Sequence, residues 1–381
     1  MRSDDLFKAL YASYFALISS FFVSEVKSCD RVVDYFVDKI ESKISVVNQF
    51  YSEHARSSLD TLVVDDFSDD VVVNQDSLGL DGVASPLPDF DVVREEFESK
   101  RVPVLMFHRI GEREDRYTVS PGNFERLLGS LYDNNFYSVS LEEFLDGDFS
   151  GVPVGKKPVL ITFDDAHISQ FRYDGAGNIC DKSAVGIMER FFGEYDFGGK
   201  PVFFNHFGGR GNFVLPFGQN DYASDKMKFL VDNGYSVGYH TVFHDNNAGA
   251  SKNNIFEQYT LSSSLFLMLL GEERFERVRS TKAHPEGAFP RIREVFDYAV
   301  AKYPDGLFNA WGGSSRHPLS EDFDVYSIPR IEITYHTLGE LVLGRGDSYR
   351  VTPDTKRFYE LLNNESEIRR LTSLGVDSLF D

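Results

Sequence analysis

From residue 101 onward, short apolar runs alternate with segments whose apolar residues recur every three or four positions. Val102-Pro-Val-Leu-Met-Phe107 is the first run and reads as a buried strand. Ser120-Pro-Gly-Asn-Phe-Glu opens a helix, with Ser120 as the N-cap and Pro121 at the first helical position. Phe124, Leu127, Leu128 and Leu131 form its apolar face. Tyr137-Ser-Val-Ser and Pro158-Val-Leu-Ile-Thr-Phe163 predict strands, and residues 183–195 a helix. Pro201-Val-Phe-Phe204 predicts another strand, residues 223–233 a helix, and Ser236–His240 a strand. This alternation implies an α/β fold with a mostly parallel sheet, open or closed into a barrel. In such folds the chemistry sits at the carboxyl ends of the strands.

The chain before residue 101 reads differently. Phe7, Leu10, Tyr14, Leu17 and Phe21 fall at alternating spacings of three and four, and Val33, Phe36, Ile40, Ile44 and Val47 resume the stripe. The uncharged stretch 9–24 is too short and too rich in Ser and Tyr for a membrane span. Asp4 and Asp5 spoil the positive start of a signal peptide. A long packing or oligomerisation helix is the favoured reading. Residues 58–93 contain nine Asp and no Lys or Arg, and Gly79, Gly82, Pro86 and Pro88 punctuate the end. This is read as an acidic linker; its Asp spacing does not match a calcium loop. The expected division is a helical extension over 1–57, a linker over 58–100, a catalytic-type domain over 101–345 and a C-terminal tail over 346–381.

Composition narrows the class. With 42% apolar and 14% aromatic residues, the chain can bury a sizeable core. Its 60 acidic and 39 basic residues leave a net charge of -21, which argues against nucleic acid and anionic lipid as partners. A neutral or cationic partner such as a sugar polymer is compatible. Cys29 and Cys180 form no CxxC, so a zinc knuckle and a disulfide scaffold are excluded.

The candidate chemistry lies at strand ends. Thr162-Phe-Asp-Asp165 follows an apolar strand directly, so one carboxylate can bind a metal while its neighbour faces substrate. His240-Thr-Val-Phe-His244 has a spacing of four, which puts both imidazoles on one face if the segment is helical. Two His and one carboxylate make a facial set that leaves coordination positions open, as a metal needs in order to activate water.

These residues carry a resemblance. Val104-Leu-Met-Phe-His-Arg-Ile, Tyr117-Thr-Val-Ser-Pro-Gly-Asn-Phe-Glu, Thr162-Phe-Asp-Asp165 and Asn233-Gly-Tyr-Ser-Val-Gly-Tyr-His-Thr-Val-Phe-His244 resemble the polysaccharide deacetylases of carbohydrate esterase family 4. The match covers roughly residues 101–340. The resemblance implies a distorted (β/α) barrel of NodB type, with Asp164 as general base and Asp165, His240 and His244 as ligands of a divalent metal. Zinc is the foremost candidate, with cobalt, nickel or manganese as alternatives.

The later motifs depart from the family pattern. Lys282-Ala-His-Pro-Glu-Gly287 stands where the family often reads Phe-Arg-x-Pro-Tyr-Gly. The backbone N–H of Glu286 takes the oxyanion role on this alignment, and Ala283 replaces the arginine that orients the base. Lys282 and Arg330 are the candidate substitutes. Trp311 is placed at the substrate as an aromatic wall of the sugar pocket, although a lone Trp is more often core. Arg330 stands where a late histidine is common and is placed at the substrate. His336 and His317 are candidate proton donors with the prior of surface histidines, and His336 is the preferred of the two. His108 follows the first strand and is placed at the substrate cleft. His284 is expected to be an ordinary loop residue.

The implied function is metal-dependent removal of acetyl groups from an N-acetylhexosamine surface polysaccharide, outside the cytoplasm. A catalytically weak carbohydrate-binding or structural component of a surface complex or virus particle is the alternative, as is an O-acetyl esterase. A homo-oligomer through the N-terminal helix is the expected assembly.

Overall fold

The computed structural model describes residues 87–209, 212–334 and 347–363, all within a compact unit that begins at Ala84. The expected N-terminal helix, most of the acidic stretch and His336 lie outside the described residues.

Eight strands build the sheet: β1 (Val104–Phe107), β2 (Phe136–Val139), β3 (Lys157–Asp164), β4 (Val202–Asn205), β5 (Ser236–Tyr239), β6 (Thr281–Ala283), β7 (Gly306–Gly312) and β8 (Ile328–Glu332). Every pairing among them is parallel, in the order β1-β8-β7-β6-β5-β4-β3, and β3 pairs back onto β1. Seven strands therefore close a barrel; the alternation of elements predicts the parallel sheet, and the family resemblance its closure. The eighth, β2, pairs with the first half of β3 and bridges Ser138 to Gly198 on the run-in to β4. Gly198 has φ +96, and a Cβ there would lie 2.2 Å from the Ser138 carbonyl oxygen, so the close approach requires glycine.

Helices ring the barrel: α1 (Phe90–Ser99), α2 (Pro121–Asp133), α3 (Leu141–Asp146), α4 (Ala184–Glu194), α5 (Ala223–Asp232), α6 (Lys252–Leu270), α7 (Arg293–Lys302) and α8 (Pro353–Leu362). Ser120 caps α2 by accepting the Asn123 N–H, and Phe124, Leu127, Leu128 and Leu131 are the buried face.

Alternation along the strands sorts the side chains. Phe107, Phe163 and Phe203 stack outward at 5.3 and 5.0 Å between ring centroids, and Phe124 of α2 meets Phe163 at 5.8 Å. Leu160, Val104, Val202, Phe204, Ala283, Phe308 and Ile328 fill the core cluster on the other face. Asp164 continues the phase of Leu160 and Thr162, and is thereby delivered to the inside at the carboxyl end of β3.

Two expected boundaries move. Residues 90–99, assigned to the linker, form α1, because Val93 and Phe97 are buried against the barrel foot. Residues 353–362, assigned to the tail, form α8, which buries Phe358, Tyr359 and Leu361. His317, expected at the surface, is enclosed here: it stacks on Phe97 at 4.2 Å and its Nε2 meets Tyr359 Oη at 3.1 Å. Its neighbours are aromatic, and burial pushes its imidazole down to about 3, so it is a neutral core residue.

Lys282 is the core's weak point. It leaves β6 on the helix side, fully buried, with Nζ 5.1 Å from the Tyr303 ring centre and no hydrogen-bond partner among the described residues. Burial pushes its amine down to about 7. A base lowered in the fold penalises the fold fully below the lowered value, and the penalty fades as pH rises toward the unfolded value near 10.4. Each tenfold loss of proton affinity corresponds to about 1.4 kcal/mol, so Lys282→Met is expected to raise stability by a few kcal/mol at pH 6. The gain should shrink toward zero by pH 10–11. Denaturant midpoints at the two pH values check this, and an equal gain at both overturns it.

Candidate active site

Four strand ends converge on one spot. At the end of β3, Asp164 is 2% exposed and clamped by Arg330 of β8. The two guanidinium nitrogens donate to Oδ1 and Oδ2 at 2.7 Å each. Arg330 also donates to Thr162 Oγ1 at 3.1 Å and to the Asn309 carbonyl at 2.5 Å. Burial alone raises the Asp164 carboxyl, but Arg330 and then His240 outweigh it and hold the group below the usual carboxylate range. Arg330 is therefore not a cleft-lining residue as expected from the sequence. It is fully enclosed, because the inward phase of Ile328 and Arg330 on β8 aims it at the barrel axis. Of the two candidates to orient Asp164, Arg330 is in contact and Lys282 faces the helices.

The chain turns sharply after Asp164: Asp165 and Ala166 both sit in the left-handed region, with φ 79 and 48. The turn points the Asp165 carboxylate away from Arg330 and toward the next strands. His240 Nε2 and His244 Nε2 each stand 3.4 Å from Asp165 Oδ1. One ligand atom from each of the three lies within 4.8 Å of the others. The two histidines meet without a helix. Segment 240–244 is an irregular loop in which Thr241 and His244 have φ 59 and 56. The buried Gln258 of α6 staples it, accepting the Val242 N–H at 2.7 Å and donating to Asp245 Oδ2 at 3.1 Å.

The donor set fits a divalent cation. His240 Nδ1 bonds the Ala283 carbonyl at 2.9 Å; a carbonyl only accepts, so Nδ1 carries hydrogen and the neutral ring turns the Nε2 lone pair inward. Asp165 Oδ1 is buried without a hydrogen-bond partner although two imidazole nitrogens face it. A buried carboxylate oxygen that faces two imidazole nitrogens calls for positive charge. Burial opposes ionisation of Asp165, yet a proton on the imidazoles, on His240 first, holds its carboxyl far below the usual range. Burial likewise lowers His240, but Asp164 and Asp165 together raise it.

The surrounding residues complete the mouth. His108 is partly buried, with Nδ1 unpartnered among the described residues. Burial lowers its imidazole, while Asp164 and Asp165 pull the other way. Glu286 has φ 54, and its carboxylate accepts from Asn246 Nδ2 at 2.6 Å. Gly287 has φ +60, and a Cβ there would lie 2.9 Å from the Trp311 ring, so the loop lies flat against the indole. Trp311 is 54% exposed at the end of β7 and is not a core residue. His284 is fully buried against Phe289 at 4.2 Å, with neither ring nitrogen bonded among the described residues, and is no ordinary loop residue.

One group was missed entirely. His206 follows β4, and its Nε2 lies 3.9 Å from Asp165 Oδ1. Its ring centre is 5.5 Å from that of His244. Burial pushes its imidazole down to about 4. The available signal was its place directly after an apolar strand, the same place that marks Asp164 and His240.

The barrel is similar to solved polysaccharide deacetylases. A polysaccharide deacetylase from Bacillus cereus matches at 20% identity and a TM-score of 0.46, over 62% of this chain and 66% of that one, a little under two thirds of its length. The Streptococcus pyogenes deacetylase PplD, solved in complex with acetate, matches at 20% identity and a TM-score of 0.46, over 61% of this chain and 92% of that one. IcaB from Ammonifex degensii matches at 18% identity and a TM-score of 0.44, over 63% of this chain and 95% of that one. No protein-family model matches the chain, and no curated protein does. The reading of the chemistry rests on the side chains themselves.

Proposed function

We propose that this chain hydrolyses acetyl groups from an N-acetylhexosamine polysaccharide at a divalent cation, zinc foremost, held by Asp165, His240 and His244. The observation that carries this is the pairing of two unlike carboxylates on adjacent residues. One is clamped and charge-compensated by Arg330, the other faces two imidazoles with an unsatisfied oxygen. A cation held by Asp165, His240 and His244 would supply Lewis acidity, making a water more acidic and an acyl carbonyl more electrophilic.

The chain's own groups supply the rest. Asp164 spends one lone pair per oxygen on Arg330 and keeps others, so it accepts the proton of the attacking water. Arg330 fixes its orientation and keeps it ionised before the attack. The N–H of Glu286, on a backbone turn held by the Asn246 contact, donates to the developing oxyanion. Trp311 offers an exposed aromatic face on which a pyranose ring stacks. The departing amine needs a proton. The sequence assigns this to His336, outside the described residues; among the described side chains, His108, whose carbonyl shares the Gln170 amide with that of Asp164, has suitable chemistry. Action on such a polymer implies a place outside the cytoplasm or at a surface. No helix among the described residues is long and apolar enough to cross a membrane.

Acetate release from β-linked N-acetylglucosamine oligomers tests the proposal. Release is expected to stop with chelator, by at least 100-fold, and to return when zinc is restored. A zinc-loaded protein that frees no acetate from any N- or O-acetylated glycan overturns it; release from O-acetyl esters alone moves the substrate class.

A further inference from the structure

His206 and His240 face the same carboxylate oxygen, but the backbone has set them in opposite tautomers. His240 Nδ1 meets a carbonyl, Ala283 O at 2.9 Å, so its Nδ1 bears hydrogen and its Nε2 is a lone pair. His206 Nδ1 instead accepts the Gly208 N–H at 2.9 Å. An accepting Nδ1 is unprotonated, so the hydrogen of the neutral ring is on Nε2. A nitrogen that carries hydrogen has no lone pair to give a cation. His206 is thus unfit to be a ligand in the place where the ligands meet.

That hydrogen is also unspent. His206 Nε2 is 3.9 Å from Asp165 Oδ1, beyond hydrogen-bond reach. The side chain is 19% exposed, open enough to be reached from the mouth. The Gly208 bond and the short reach from β4 hold the ring in place, so the donor is preorganised. What suits a fixed N–H beside a cation centre is an oxygen that gains negative charge there.

We propose that His206 Nε2–H is a hydrogen-bond donor to the acyl oxygen of the bound acetyl group, and to the carboxylate of the acetate product. It is the side-chain partner of the Glu286 N–H and selects acyl groups whose oxygen lies on the β4 side. The proposal rests on the deacetylase reading for its substrate, though not for its carboxylate ligand.

The test uses the full chain, with zinc and acetate as probes in calorimetric titrations alongside steady-state kinetics. The variants are His206→Ala, His206→Gln and His240→Ala, with thermal melts confirming that each is folded. A glutamine amide reaches to about where Nε2–H stands and keeps a donor there. His206→Ala is expected to bind zinc within about threefold of wild type. Its zinc-loaded form should bind acetate about tenfold more weakly, and kcat should fall about 100-fold with KM little changed. His206→Gln should recover at least tenfold of kcat and most of the acetate affinity. Zinc affinity lost as completely as in His240→Ala would make His206 a ligand and overturn the proposal. Unchanged acetate affinity in His206→Ala overturns it as well. If wild type frees no acetate from any glycan, the deacetylase reading fails by itself, and the zinc and acetate titrations still decide the donor role.

Discussion

Arg330→Met is expected to destabilise the barrel by about 3–5 kcal/mol, because it strands a buried carboxylate without its counter-charge. Methionine fills much of the same space beside Phe204, so lost packing contributes little. What is lost is the bidentate pair to Asp164 and the donors to Thr162 and the Asn309 carbonyl. The pH dependence identifies the cause. In wild type the Asp164 carboxyl is depressed, so its contribution is present above the unfolded value near 3.9 and is lost as pH falls through the folded one. Without Arg330 the buried carboxyl is raised, and stability is then lost as pH climbs above about 4. The deficit of the variant should therefore be smallest below the depressed folded value of wild type, already sizeable near pH 4, and full by neutrality. Adding Asp164→Asn to Arg330→Met should return part of the loss, since both buried charges are then gone. Denaturant midpoints across pH check these points; a deficit independent of pH would point to packing.

Asp164→Asn is expected to lower kcat by about 1,000-fold while zinc affinity stays within a few-fold of wild type. Both oxygens of Asp164 are committed to Arg330, so this carboxylate is not arranged as a ligand. Asp165→Asn should behave in the opposite way. It removes the anionic oxygen on which the two imidazoles converge, so zinc binding should fall by at least 100-fold and activity with it. Zinc titration and acetate release on the same preparations separate the two. Equal loss of zinc in both variants would merge the two aspartates into one ligand set.

Much of the barrel was legible because its strands are buried on both faces and so read as continuous apolar runs, as at Pro158–Phe163. The strand-end rule then pointed at Asp164, Asp165 and His240. The route by which His244 joins them was not legible. Its spacing from His240 suggested a helix, whereas two left-handed residues and Gln258 shape the loop. Arg330 was visible as a residue but not in its contact, since the closure of β8 onto β1 brings together positions 166 apart. The terminal helices were missed for a related reason. Asp89 and Pro353 open short amphipathic segments whose apolar faces have no meaning until a barrel foot exists to cover.

The foot has a practical consequence. The Asp89 N–H donates to Asp354 Oδ1 at 3.2 Å, so the first and last described helices begin side by side, beneath the strand ends opposite the aspartates. A barrel whose entry and exit helices lie together tolerates being cut elsewhere and rejoined there. The exposed turn at Asp174–Asn178 is a suitable new opening, because its hydrogen bonds are local to the turn. A circular permutant of residues 87–363, with a linker from the end of α8 back to the start of α1, would carry its termini on that turn, and those new ends could anchor the protein to a bead or a sensor surface.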